Sequence, residues 1–414
     1  MFNPLIGSDA PGPERTNNPT VGRTALVSAI DQELRQLIQK HGRITFAQFM
    51  QTCLYSPNGG FYSSRAGQID AHFGTSATSH PAFGTLIVRQ LEQMWHLLGD
   101  PSRFAVVEVG SGDGSLARSI VEACNHNSPG LSKALDYVAT DYEPWWPESR
   151  PHPFELQPGA GAAVPPDEPD SRPQVQRVKA EGLGCFQGIV GCILCNELLD
   201  NFPVHRFAIQ EGRVKEVFVT LTGDRLAEVL DEPSTPRIEA RLSDLGVSLP
   251  EGARGEVNLA MEGWASQLAD SLDRGFVLTI DYGQLARDLY SSEHPEGTMV
   301  CYQRHAASAD PYEDPGGQDI TTHVDFTSLM RLGEQSGLAT VGYTLQRNFL
   351  VNLGFSSVLD VLEAQDLSEA RIQLARMAMM TLVDPEEYGD FKVLTQAKGM
   401  GPGIELLGFK ELGT

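Results

Sequence analysis

Phe104-Ala-Val-Val-Glu-Val-Gly-Ser-Gly-Asp-Gly-Ser115 is an apolar run that opens directly into three glycines spaced two residues apart. The run predicts a buried strand, and the helical spacing of apolar residues over 116–125 predicts a helix directly after it. Glycine has no Cβ atom, so the backbone turns tightly and approaches a ligand at the positive end of that helix. We therefore expect half of a βαβ unit, with a small, partly anionic ligand beside Gly110, Gly112 and Gly114.

The spacing around the glycines indicates which ligand binds. Ser115 stands where the dinucleotide fingerprint has its third glycine, which weakens an NAD interpretation. The pattern with Glu108 two residues before the first glycine resembles instead the S-adenosylmethionine (SAM) loop of Rossmann-like methyltransferases, and it implies that Glu108 binds the cationic methionyl end of SAM. A second apolar run ends in Asp141, which we expect to bind the ribose hydroxyls. The alternative is an ordinary strand-to-helix turn, but the two acids favour a cofactor site.

Composition limits the remaining possibilities. The chain has 414 residues, is 41% hydrophobic and carries a net charge of −23. It has no run of about 18 apolar residues for a membrane span, and residues 1–25 resemble neither a signal nor a transit peptide. We therefore expect a cytoplasmic protein with a flexible tail over 1–25 and no membrane partner. The acidic charge disfavours nucleic acid and suits a basic peptide or protein, and a homodimer is one option.

The cysteines and histidines do not predict a metal site. Six scattered cysteines indicate a reducing compartment. Cys192 and Cys195 form a C-x-x-C pair within an apolar strand, whose alternation points them to opposite faces, so we expect buried small hydrophobic residues. His205, His305 and His323 lack metal-ligand spacing and are expected to be structural.

The chain divides into an N-terminal part and a larger catalytic part. Residues 26–99 predict a helical N-terminal cap, and residues 100–414 predict a Rossmann-like α/β SAM-binding domain. Residues 202–272 predict an inserted substrate-side subdomain that starts with a hairpin and continues with helices. A proline-rich segment from 144 to 173 is typical of an irregular surface loop.

Two groups of polar residues follow predicted strands. Asn196, Glu197 and Asp200 come after one apolar run, and Asp281 and Tyr282 come after another. Ligands of parallel sheets bind beyond the carboxyl ends of the strands, so we expect both groups at one crevice. Each residue alone also fits a helix cap or a turn, but the group as a whole favours a functional site.

An ordered set of motifs extends from Ile44 to Phe409. The main blocks are Thr45-Phe-Ala-Gln-Phe-Met50, Leu54-Tyr-Ser-Pro-Asn-Gly-Gly-Phe-Tyr62, Phe73-Gly-Thr-Ser76, Phe83-Gly84, Val107–Gly114, Asn196–His205, Ile280–Gly283, Tyr302–His305, Asp319–Phe326 and Phe391–Leu394. With these blocks the chain resembles the SAM-dependent methyltransferase family that contains the mitochondrial complex I assembly-factor protein arginine methyltransferase and many bacterial relatives. The resemblance implies a class I methyltransferase sheet, SAM as the cofactor, Thr75 and Ser76 near SAM, and the 196–200 loop near the methyl acceptor.

Methyl transfer is an in-line displacement that depends mainly on position and orientation. If the acceptor is an arginine, its guanidinium presents a planar fork of donors, and Glu197, Asp200 and Asp281 are the carboxylates expected to bind it. Asn196 and Tyr282 would orient and shield the acceptor.

Two other functions remain open. The family usually has acidic residues where this chain has Ala71-His72 and Ala77-Thr78, which favours a small molecule or a different side chain as acceptor. The third alternative is a SAM-binding assembly factor that mainly holds a partner. Identifying the species labelled by methyl-labelled SAM would separate the three.

Overall fold

A computed structural model describes residues 28–64, 74–142, 174–180, 182–303 and 306–410 of the protein. Four elements of the sequence analysis lie outside the described residues: the N-terminal tail, Ala71-His72, the proline-rich segment and His305.

The strands, numbered in chain order, are β1 Ile44–Thr45, β2 Phe104–Val109, β3 Leu135–Asp141, β4 Val175–Lys179, β5 Ile189–Asn196, β6 His205–Gln210, β7 Arg213–Thr222, β8 Arg225–Asp231, β9 Arg254–Val257, β10 Leu272–Asp281, β11 Gly283–Gln284, β12 Val300–Gln303, β13 Ala306–Ser308, β14 Asp319–Thr321, β15 Val324–Asp325, β16 Ala339–Leu345 and β17 Lys392–Lys398. The helices are α1 Ala29–His41, α2 Phe46–Tyr55, α3 Phe61–Ser64, α4 Ser76–Ser79, α5 Ala82–Leu97, α6 Ser115–Asn127, α7 Pro129–Ala134, α8 Arg237–Leu245, α9 Ala260–Ser271, α10 Ala286–Leu289, α11 Phe326–Gln335, α12 Gln346–Asn352, α13 Phe355–Glu363 and α14 Glu369–Thr381.

The central element is a seven-stranded sheet with the order β16-β17-β10-β5-β2-β3-β4. Strands β10, β5, β2, β3 and β4 pair in parallel, and β17 is antiparallel to both of its neighbours. β2 begins as predicted at Phe104, and its glycine turn leads into α6. The structure thereby confirms the predicted Rossmann-like α/β sheet.

Helices cover both faces of this sheet, since parallel strands connected by helices are buried on both sides. One face packs against α5, α6, α7, α12, α13 and α14, and the other packs against α9 and α11. Cys192 belongs to the first core and Cys195 to the second, as their alternation along β5 predicts.

The predicted cap boundary at residue 99 is wrong. Ala82, Phe83 and Leu86 of α5 pack in the same core as Phe104 of β2, so α5 belongs to the sheet domain. The apolar side chains of α5 follow helical spacing whether they face a cap or a sheet, which is why periodicity alone misplaced this helix.

The N-terminal helices pack against the insertions instead. Helix α2 starts at a capping box between Thr45 and Gln48, and Phe49 shares a core with Val219 of β7 and Ile320 of β14. β1 pairs with β7, so the N-terminal segment joins a second, five-stranded sheet that also contains β6, β8 and β9.

The insertion is a small antiparallel sheet and not mainly helices. β6 and β7 form the predicted hairpin, β8 pairs with β7, and β9 pairs with β6. Helix α8 lies between β8 and β9 in the chain. Helix α9 packs on the main sheet, so the insertion ends near Val257 and not at 272. A further three-stranded sheet, β13-β12-β14, was not predicted.

Within the described parts of the chain, no helix is both long enough and apolar enough to cross a membrane.

Candidate functional site

A cavity of about 820 Å³ lies beyond the carboxyl ends of the parallel strands. Asp141 and Asn196, the last residues of β3 and β5, border it, and so do Gly110 and Gly112 of the loop after β2. Its other walls come from the N-terminal segment, with Tyr55 and Tyr62, and from the small third sheet, which is formed by β13, β12 and β14. The volume falls within the range of small-molecule and cofactor sites.

The glycine loop forms one end of this cavity. Gly110, Gly112 and Gly114 have φ values of 74°, 53° and 75°, a left-handed conformation that favours glycine. A Cβ atom at Gly110 would lie 2.8 Å from Leu198 Cδ1, whereas a Cβ atom at Gly112 would meet no atom within 4 Å. The backbone at Gly112 is therefore open to a ligand, as a cofactor-binding loop requires. Gly114 precedes the first residue of α6 and does not itself border the cavity.

Two acidic side chains support the glycine loop. Asp141 Oδ2 accepts a hydrogen bond from the Gly112 backbone amide at 2.8 Å, which places Asp141 beside the loop at the end of β3. Glu108 is 3% exposed, and its Oε2 accepts a hydrogen bond from the Tyr137 hydroxyl at 2.8 Å. Burial raises the pKa of Glu108 to about 8, with the Tyr137 hydrogen bond opposing this shift. A cation beside Glu108 would favour its ionised form.

The segment after β5 has a strained backbone. Glu197 has a φ of 50°, which is uncommon for a residue other than glycine and which clusters at functional sites. Its Oε1 accepts hydrogen bonds from the Ser76 amide at 2.9 Å and the Ser76 hydroxyl at 2.8 Å. Ser76 thereby joins α4 to the Glu197 segment, and it does not border the cavity as a cofactor contact would. Thr75, the residue before it, does border the cavity.

Asp281 lies behind the site. Its Oδ2 accepts hydrogen bonds from the Leu198 and Leu199 amides at 3.1 and 2.9 Å, and its Oδ1 accepts one from Tyr282 at 2.9 Å. It is fully buried and does not border the cavity. The expected direct role for Asp281 in binding the acceptor is therefore corrected to positioning the turn that carries Glu197. Burial raises the pKa of Asp281 to about 7.

Asp200 lies at the cavity end that faces the small third sheet. It is 4% exposed, and its Oδ2 accepts a hydrogen bond from the Tyr282 hydroxyl. Burial raises the pKa of Asp200 well above its usual range, and nearby Asp281 and Asp319 raise it further. Asp200 and Tyr282 both border the cavity, and their role in binding the acceptor stays a prediction.

Asp319 is a cavity residue that sequence reasoning missed. It starts β14, is 1% exposed and accepts a hydrogen bond from Asn201 Nδ2 at 3.0 Å. The Tyr62 hydroxyl lies 3.1 Å from both of its oxygens. Asp319, Asn201 and Tyr62 all fall within motif blocks of the family resemblance, but their positions in sequence do not reveal that they meet.

The histidines differ in their surroundings. His205 Nδ1 lies 2.7 Å from Glu216 Oε1, which fits the structural role expected of it. His323 borders the cavity, where its ring packs against Tyr282 at 5.6 Å between centroids. Burial lowers the pKa of His323 to about 4, so the ring is neutral near pH 7.

The cavity is strongly acidic. Among its described lining residues there is neither a lysine nor an arginine. The carboxylate residues that line it are Glu108, Asp113, Asp141, Glu197, Asp200, Asp319 and Glu387. Such a surface favours cationic ligands.

Comparison with known proteins identifies the class of enzyme to which this fold and site belong. The family model of S-adenosyl-L-methionine-dependent methyltransferases matches residues 86–344, and the chain belongs to this family. The protein is therefore a SAM-dependent methyltransferase, and SAM is its methyl donor.

Particular relatives extend the match over nearly the whole chain. The mitochondrial protein arginine methyltransferase NDUFAF7 homolog of Drosophila melanogaster is 27% identical over 411 residues, covering 95% of this chain and 88% of the relative. Human mitochondrial NDUFAF7, also named a protein arginine methyltransferase, is 25% identical and covers 92% and 84%. A Burkholderia thailandensis protein, crystallised with S-adenosyl-homocysteine (SAH), has a TM-score of 0.75 and 27% identity over 95% of this chain and 97% of its own.

The expectation of a cytoplasmic protein is contradicted by the NDUFAF7 relatives, which are named mitochondrial proteins. The prediction relied on the composition of residues 1–25, which do not resemble a transit peptide.

Proposed function

We propose that this protein methylates arginine side chains of a protein acceptor. The observation that carries the proposal is the acidic end of the cavity, where Glu197, Asp200 and Asp319 converge among tyrosines. The naming of the relatives as protein arginine methyltransferases supports the same acceptor.

The cofactor end is assigned to the glycine loop and its supports. We assign the adenosyl and methionyl parts of SAM to Gly110 and Gly112, with Gly114 starting the helix behind them. Asp141 would accept hydrogen bonds from the ribose hydroxyls, and Glu108 would balance the methionyl cation. Thr75 borders the same cavity, and Ser76 supports it through Glu197.

We assign the acceptor to the polar residues at the ends of β5 and β10. Asn196, Glu197, Asp200 and Tyr282 border the cavity beyond β5 and β10, and Asp281 holds their turn. Bound SAM supplies a methyl group on a positively charged sulfur, and the transfer needs the accepting nitrogen in line with it. The carboxylates would hold the guanidinium in that position, balance its charge and accept the proton that the attacking nitrogen loses. The carbon–sulfur bond of SAM breaks as the nitrogen–carbon bond forms, and SAH leaves as a neutral thioether.

The test is incubation of the purified protein with methyl-labelled SAM and an extract from cells that lack it. Acid hydrolysis of the labelled proteins, followed by chromatography, identifies the methylated amino acid. We expect methylarginine, and no label with the Gly112→Val variant, whose side chain would occupy the open space at the loop. Label confined to small molecules or to another amino acid would refute the proposed acceptor.

A further inference from the structure

We propose that Asp200 and Asp319 form one carboxylate pair that binds the guanidinium of the acceptor and selects it over neutral side chains. This inference rests on the proposed function and adds a specificity-determining residue, Asp319, from an element outside the main sheet.

Hydrogen bonds hold the two carboxylate residues in adjacent segments. The Thr322 amide donates to the Asp200 carbonyl oxygen at 2.9 Å. Asn201 Nδ2 donates to Asp319 Oδ1 at 3.0 Å and lies 3.3 Å from the Ile320 carbonyl oxygen. The turn after β5 is therefore hydrogen-bonded to β14, and both acids border the same cavity.

Asp200 has an unused acceptor atom. Its Oδ2 is bonded to the Tyr282 hydroxyl, but its buried Oδ1 has no hydrogen-bond partner among the described residues. A buried polar atom without a hydrogen-bond partner is unfavourable, so such an atom in a cavity indicates a missing ligand donor. A guanidinium N–H group would supply that donor.

The surroundings of the pair suit a planar cation. The ring of Tyr62, which contacts Asp319, stacks on Tyr55 with 5.6 Å between centroids. Aromatic faces attract cations, and guanidinium stacks on them. His323, which borders the same cavity and packs against Tyr282, is neutral near pH 7, so it does not compete with the bound cation. Burial also raises the pKa of Asp319 to about 7, and a guanidinium would restore its ionised form.

Charge and shape together favour arginine over lysine and citrulline as the bound side chain. Two carboxylates from separate segments match the fork of five N–H donors of a guanidinium, whereas a lysine ammonium is a point charge. Citrulline has nearly the same shape as arginine but no charge, so it isolates the contribution of the pair.

The test measures binding of three glycine-rich peptides, which carry a single arginine, lysine or citrulline, to the protein saturated with SAH. Isothermal titration gives each dissociation constant for the wild type, Asp200→Asn and Asp319→Asn. Asp270→Asn, an exposed change on α9, is the matched control. The wild type and the control are expected to prefer arginine over citrulline by at least about tenfold, or about 1.4 kcal/mol. Both cavity variants are expected to retain SAH affinity and to lose most of this preference.

The outcomes separate this inference from the proposed function. A wild type that does not prefer arginine to citrulline would refute the arginine acceptor, and the pair with it. A wild-type preference that survives both substitutions would overturn the pair and leave the acceptor intact.

A second measurement covers the case in which the variants do not fold. In the wild type, millimolar guanidinium chloride is expected to raise KM for the arginine peptide without raising KM for SAM, while equal concentrations of sodium chloride and urea do not. Equal inhibition by guanidinium and sodium chloride would overturn the pair.

Discussion

Asp281→Asn and Asp281→Ala are a matched pair of substitutions that separate a positioning role from direct binding of the acceptor. Asp281 accepts three backbone hydrogen bonds, from Leu198, Leu199 and Tyr282, and these hold the turn that carries Glu197. Alanine removes both acceptor oxygens and so all three hydrogen bonds. Asparagine keeps one oxygen, which retains the Leu198 and Leu199 bonds when it occupies the Oδ2 position.

The structure sets the size of the expected effects. Each buried amide left without an acceptor is unfavourable by about 1–3 kcal/mol, but the turn lies beside the cavity and water can reach part of it. We therefore expect Asp281→Ala to reduce the free energy of unfolding by about 3 kcal/mol. Asp281→Asn loses one bond but also removes a buried carboxyl whose pKa burial and nearby Glu197 raise, so its net effect is about 1 kcal/mol or less.

Three measurements on the two variants test this reasoning: thermal unfolding, SAH titration and kcat/KM for the acceptor. Asp281→Ala is expected to lose about 100-fold in kcat/KM because Glu197 and Asp200 are displaced, while SAH affinity stays within about threefold. Asp281→Asn is expected to retain activity within about tenfold. An equal loss of activity in both variants, with unchanged unfolding temperatures, would show that the Asp281 charge acts on the acceptor directly and would refute the positioning role.

Four further results are expected. Gly112→Val should abolish SAH binding in a titration, and because its Cβ meets no atom within 4 Å it should destabilise the fold only through the left-handed backbone, by about 1–3 kcal/mol. Gly191→Ala should prevent folding because its Cβ would lie 1.9 Å from the Ala105 carbonyl oxygen. Circular dichroism measures the folding of both variants. Asp141→Ala should weaken SAH by about 1–3 kcal/mol, and an unchanged affinity would place the ribose acid elsewhere. Because the pKa of Asp319 is raised to about 7, kcat/KM for an arginine peptide should rise from pH 6 to pH 8 as that carboxyl ionises, and Asp319→Asn should flatten this rise.

The sequence alone predicted the first strands of the main sheet and the glycine loop that we propose binds the cofactor. The apolar run at Phe104–Val109 and the three glycines act through local rules, which link residue type directly to a buried strand and a left-handed turn. The carboxylate of Asp141 ends the next strand in sequence, so the βαβ unit brings it to the loop without any further information.

Tertiary structure decided which of the acidic residues reach the proposed acceptor end of the cavity. Asp281 and Asp200 both follow apolar strands, and only packing directs one carboxylate to backbone amides and the other to the cavity. Asp319 and Tyr62 are separated by 257 residues and meet through sheets and helices that pack around the insertions. Local patterns carry no information about such long-range contacts, because these depend on how separately stable elements assemble. The same physical reason explains why periodicity recognised α5 as a helix but assigned it to the wrong layer.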